Sequence, residues 1–132
     1  MATLGIILVR LGEYGLDTPT WFPAANALLG RVVGFDGSCW QTNDPATSLI
    51  ASHLTLNLPS GGFPMLAVNG YRSNDVNKFA DLATRPHPIG LLSQATGGQS
   101  ERSLRWREML RPNGFDAELR IAFVDEAAAG GR

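Results

Sequence analysis

The hydrophobic pattern changes period several times along the chain. Leu4 to Leu11 (LGIILVRL) is an apolar run with three β-branched residues, Ile6, Ile7 and Val9, between Gly5 and Gly12. That composition predicts a short buried strand. Residues 13–20, with Gly15, Asp17 and Pro19, read as a loop. Thr20 then caps a predicted helix that tolerates Pro23 in its first turn, and Trp21, Ala25, Leu28, Leu29 and Val32 share one face at helical spacing. Gly34 is the expected stop.

Phe35 to Thr42 and Ser48 to Leu58 are strand-like, and Asn43-Asp44-Pro45-Ala46-Thr47 between them has turn residues, so a hairpin is predicted. Placing Cys39 opposite Ser52 collects Phe35, Cys39, Ile50, Leu54 and Leu56 on one face. Asp36, Ser38, Trp40, His53 and Thr55 then fall on the other, and a one-residue slip mixes the two sets. Phe63 to Val68 reads as a short helix. A second, capped by Ser73 or Asn74, carries Val76, Phe79, Ala80, Leu82 and Ala83 as an apolar stripe ended by Pro86. Ile89 to Leu92 is a strand candidate, and Thr96 to Gln99 is a loop. Ser100 caps a helix over Glu101 to Arg111 that buries Leu104, Trp106 or Met109, and Leu110. Ala117 to Val124 (AELRIAFV) alternates, with Leu119, Ile121 and Phe123 on one face. Helix, hairpin, helices and strand in this order predict an α+β fold with a mostly antiparallel sheet and helices packed on it.

A length of 132 residues fits one domain, and 44% hydrophobic against 17% charged residues allows a real core rather than disorder. Net charge is −1, so no overall field draws the chain to nucleic acid or to an anionic membrane. A single cysteine, Cys39, rules out an internal disulfide and favours a reducing, cytoplasmic compartment. The N-terminal apolar run is too short to span a bilayer and lacks a preceding basic residue, which argues against a signal peptide.

Little in the sequence suggests catalysis. Asp36, Ser38 and His53 share a predicted face, but alternating strand positions merely display polar groups and do not build a triad with an oxyanion pocket. Cys39 reads as a small packing residue, two histidines and one cysteine make no zinc signature, and His87 between Pro86 and Pro88 reads as a rigid loop residue. Arg102, Arg105, Arg107 and Arg111 gather on one predicted helix. Glu101 and Glu108 lie at ion-pairing distance in sequence, so a solvated charged face explains the pattern better than phosphate contacts do.

The stretches FDGSCWQTNDPAT (Phe35 to Thr47), NDVNKFADLATRPHPIGLLSQATGG (Asn74 to Gly98) and SERSLRWREMLRPNGFDAELR (Ser100 to Arg120) resemble the GAF-like, N-terminal sensory region of actinobacterial LuxR-type transcription regulators. The resemblance implies a non-catalytic sensory or regulatory domain without cofactor, over residues 17–125. Residues 1–16 are an extension offering an extra strand, and 126–132 a flexible tail. It further implies a truncated domain whose sheet is incomplete in one chain and which lacks the helix-turn-helix, so direct DNA binding is not expected. An unpaired Ala117 to Val124 edge would be filled by Leu4 to Leu11 or by a second copy, giving a homodimer through the sheet edge; a full-length regulator is another expected partner. In a GAF-like fold one sheet face encloses the ligand. Trp40, His53, Phe63 and Tyr71 are the expected ligand-binding residues, with a small molecule as the expected partner. The alternative is that these aromatics fill the space as core, leaving an interaction scaffold without a pocket.

Overall fold

The computed structural model describes residues 2–9, 22–44, 49–58 and 74–124. Trp21, the predicted Phe63 to Val68 helix, Phe63, Tyr71 and the tail 126–132 lie outside the described residues.

The apolar N-terminal run forms β1 (Ala2–Val9), and α1 (Phe22–Val32) leads to β2 (Gly37–Asn43). Because β1 and β2 are adjacent and parallel, the chain needs a long crossover between them, and α1 lies within it. Gly34, at φ 71, follows the end of α1 at the expected stop. β2 and β3 (Ile50–Leu56) form the predicted antiparallel hairpin, closed by a 2.9 Å bond from the Asp44 amide to the Leu49 carbonyl. Next come the single turns α2 (Phe79–Leu82) and α3 (Leu92–Ala95), flanking the short strand β4 (Ile89–Leu91). A helical run over residues 104–113 widens to a π-turn at Trp106–Leu110 and tightens at Arg111–Asn113. β5 (Ala117–Val124) closes the described chain.

The strands form one sheet in the order β3-β2-β1-β5-β4. The α+β class is as expected, and the antiparallel pairing expected of the sheet occurs at its two flanks, β2 with β3 and β4 with β5. The centre corrects that expectation: β1 runs parallel to both β2 and β5, because it joins the two antiparallel ribbons through long connections. β1 is therefore the middle of the sheet rather than an appended strand. Of the two candidates for the β5 vacancy, the N-terminal segment occupies it. β5 has neighbours on both sides, so the sheet's outer strands are β3 and β4 and the predicted open border along β5 does not exist.

Hairpin register also differs from expectation. Cys39 pairs with Thr55, Trp40 with Leu54 and Gln41 with His53, so Trp40 and His53 point to opposite faces while Cys39 and His53 share one. Both faces of the hairpin hold buried residues, Trp40 against α1 and Cys39 opposite, so neither is uniformly apolar. One face packs on α1, where Phe22 and Trp40 are buried together with Ala25, Leu29, Phe35, Leu54, Leu119 and Ile121 around them. Their rings sit 5.3 Å apart, and each fully buried large apolar side chain contributes about 1.5–3 kcal/mol. Asn26 on α1 accepts from Ser38 Oγ at 2.5 Å and Trp40 Nε1 at 3.0 Å, which pins the helix to β2. Ala25 and Leu29 face inward as predicted, whereas Leu28 and Val32 are 63% and 80% exposed, because the helix turns Phe22 and Asn26 to the sheet instead.

Residues 74–88 and 92–116, on either side of β4, roof the other face. Leu92, Met109, Leu110 and Phe115 form one buried cluster and Leu82 with Ala122 another, so the helix over 104–113 buries Met109 and Leu110 as predicted. No helix of the described residues is long and apolar enough to cross a membrane.

Candidate functional site

Glu118 and Arg120 alternate with Leu119 and Ile121 on β5, so they point away from α1 and into the roof. Both are buried, at 5% and 4% exposure. A buried charge needs partners, and the roof supplies them. Arg105, at the start of the 104–113 helix, grips Glu118 as a fork: Nε donates to Oε2 at 2.9 Å and Nη2 to Oε1 at 2.6 Å. Asp75 holds Arg105 from the other side, accepting its backbone amide at 2.7 Å and lying 3.5 Å from its Nη1. Asp75 also accepts from Ser103 Oγ at 3.0 Å, so one carboxylate caps the helix and neutralises its buried arginine.

Arg120 lies on the sheet side of this network. Its Nε is 3.4 Å from Glu118 Oε2, its Nη1 donates to the Asn77 carbonyl at 3.2 Å, and its guanidinium stacks over Phe79 at 4.2 Å. Across the sheet, Thr55, Cys39, Gly5, Arg120 and Gly90 form one paired row, so Arg120 is flanked by two glycines. Asn77 fills the space over Gly90. A Cβ there would lie 2.6 to 2.8 Å from the Asn77 side-chain atoms. Asn77 holds a left-handed φ of 53, which the short amide side chain tolerates and which interrupts the helix predicted from Asn74.

The electrostatics follow from burial and pairing. Burial opposes the Glu118 charge, but Arg120 and Arg105 outweigh it and hold the carboxyl below its usual range. Burial, with Arg105 nearby, pulls Arg120 down to about 10, which leaves it charged at neutral pH. Burial pushes the Cys39 thiol up to about 11, with Arg120 opposing, so Cys39 is a protonated packing group. Among the described residues Asn77 Nδ2 has no hydrogen-bond acceptor, and Arg120 Nε has its ion pair with Glu118 but no hydrogen bond. Stranding such a group costs about 1–3 kcal/mol.

No family model matches the chain, and the searches of curated proteins and of solved structures likewise find no match.

Of the residues singled out from sequence, Trp40 is buried against α1 with its indole N–H bonded to Asn26, and His53 is exposed on the opposite face. The structure does not bring these two together, and Phe63 and Tyr71 are outside the described residues. Ser38 and His53 likewise face opposite sides, which dismantles the Asp36, Ser38 and His53 grouping. Arg105 was expected on a solvated, ion-paired face; it is 2% exposed and bonds inward, because Ser103 rather than Ser100 caps the helix, its Oγ accepting the Trp106 amide at 3.3 Å. The sequence pattern does not single out Asp75 or Asn77, and for Glu118 and Arg120 its signal is two opposite charges two residues apart on a strand, a pattern that alternation alone assigns to solvent. Among the described residues no group of three or more metal-ligating side chains converges.

Proposed function

We propose that this chain is a non-catalytic, GAF-like sensory or regulatory domain, related to transcription regulators, that binds a small molecule on the roofed face of its sheet. The supporting observation is the buried Asp75, Arg105, Glu118 and Arg120 network spanning the junction of roof and sheet. Buried ionic groups stabilise weakly compared with apolar packing, and their best-attested use is to specify or switch an arrangement. A ligand that contacts this junction couples directly to how the roof sits. The protonated Cys39 and the separation of Ser38 from His53 also favour binding over covalent chemistry, and the lone cysteine fits a cytoplasmic setting.

A thermal-shift screen of the full chain against metabolites tests this. A ligand at a hundred times its dissociation constant adds about 2.7 kcal/mol, a rise of several degrees in a domain of this size. A screen in which no compound raises the melting temperature defeats the reading.

A second reading, an interaction scaffold without a pocket, draws on Ile89, Leu91 and Phe123. They share the α1 face of the β4–β5 ribbon yet are 55%, 40% and 46% exposed. On that reading self-association uses this flank, and light scattering reports a dimer that F123S disperses.

A further inference from the structure

α1 and the β5–β4 half of the sheet share one face of the molecule, and the cover over that face stops part-way across it. Along the paired row that runs from β2 through β1 and β5 to β4, Trp40 is buried, Ile121 half-buried and Ile89 exposed. On the opposite face the same two strands are covered, with Gly90, Arg120 and Ala122 buried. α1 is covered on one side yet apolar on more than one. Phe22, Ala25 and Leu29 meet the sheet, but the eleven residues of the helix hold a single charge, Arg31, and its exposed positions include Ala24, Leu28 and Val32. Apolar character all round marks a helix that is covered on both sides. We propose that a second copy of this chain covers both surfaces, its α1 lying on β5–β4 beside the first copy's α1 in a two-fold dimer. This goes beyond the sensory reading; it rests on the self-association of the second reading and names the surface that meets the bare flank.

The geometry selects this occupant. Ala24, Leu28 and Val32 form one ridge along the helix. At about 100° per residue, Leu28 and Val32 stand roughly a quarter to a third of a turn from the Phe22 and Leu29 line that meets the sheet. With the right hand that such crossovers take, the helix running back from β1 to β2 turns this ridge towards β5. The ridge is then the wall, and Ile89, Leu91 and Phe123 the floor, of one step. Two strands make a floor about 10 Å wide, the width of a single helix. A two-fold axis along the strands sets the two ridges against each other and lays each helix on the partner's floor, where the small Ala24 leaves room. Two sheets then enclose one layer of two helices. The five large exposed side chains remove about 100 Å² each, about 500 Å² per copy. That matches the apolar share of the roughly 800 Å² per partner in a stable interface.

Light scattering of the full chain over a concentration series, with variants at exposed positions, tests the proposal. The wild-type chain is expected to be a dimer, and L28D, which puts a charge into the wall, to raise its dissociation constant about a hundredfold. L28C is a milder change at the same position and stays informative should L28D not fold. It is expected to cross-link to its own copy on oxidation by copper phenanthroline, because the ridges face each other, whereas A27C, exposed on another side of α1, is not. Cys39 is buried and does not compete. A wild-type monomer overturns the proposal together with the self-association beneath it. A dimer that F123S disperses while L28D leaves it intact, or L28C cross-linking no more readily than A27C, overturns the proposal alone.

Discussion

Glu118 answers for two guanidinium groups, the Arg105 fork and Arg120, and all three are buried. Removing its charge takes the Glu118 carboxylate from both buried guanidinium groups, and Arg105 keeps Asp75 beside it. E118Q is therefore expected to cost about 3–5 kcal/mol in urea unfolding, a large part of the roughly 5–15 kcal/mol that holds a domain together. Removing Arg105 as well, in E118Q/R105M, is not expected to recover the loss, since Arg120 still lacks the Glu118 carboxylate and Asp75 loses the guanidinium beside it. The pH dependence has a definite sign. Glu118 is depressed in the folded state, so its stabilisation is present above the unfolded carboxylate value near 4.3 and is lost as pH falls through the lower folded value. Melting temperature should fall on acidification below about pH 5, and the E118Q curve should be flatter there. None of this was legible in the sequence, where Arg105 sits four residues after Glu101 and reads as half of a surface pair. A different cap position rotates the helix and sends that arginine inward.

Elements are placed by close approach as much as by propensity. β4 is three residues long, and its middle residue, Gly90, lies directly under the Asn77 amide. G90A places a methyl group less than 3 Å from the Asn77 side chain, and is expected to destabilise by about 1–3 kcal/mol. Asn77 already has a positive φ, where glycine is unstrained, so N77G removes the obstruction without bending the backbone. G90A/N77G should be closer to N77G alone than the sum of the single changes predicts, and a double-mutant cycle by chemical denaturation measures the difference. Strand positions were readable here: the AELRIAFV alternation marks β5, and the apolar run from Leu4 marks β1 as far as Val9, the last described residue of that run. The hairpin register was not, because it depends on α1 taking Trp40 on one side and the roof taking Cys39 on the other. Two covered faces remove the contrast from which register is inferred.

At the scale of the whole molecule, β1 decides whether there is a site at all. Without it the β2–β3 ribbon and the β5–β4 ribbon share no strand pairing, and Arg120 loses the strand that separates it from Cys39. The composition implied one domain with a core, and the order of elements implied helices on a sheet. Parallel pairing of the first eight described residues between segments more than thirty and more than a hundred positions away leaves no local signature. Amide hydrogen exchange of the intact chain, read residue by residue, tests this arrangement most directly. Gly5 to Ile7, bonded into the sheet on both sides, should exchange among the slowest amides, alongside Cys39 to Gln41 and Arg120 to Ala122. Exchange of Gly5 to Ile7 at the rate of an unstructured segment, while β2 and β5 stay protected, would contradict the single sheet and with it the setting of the buried charge network on which the proposed function rests.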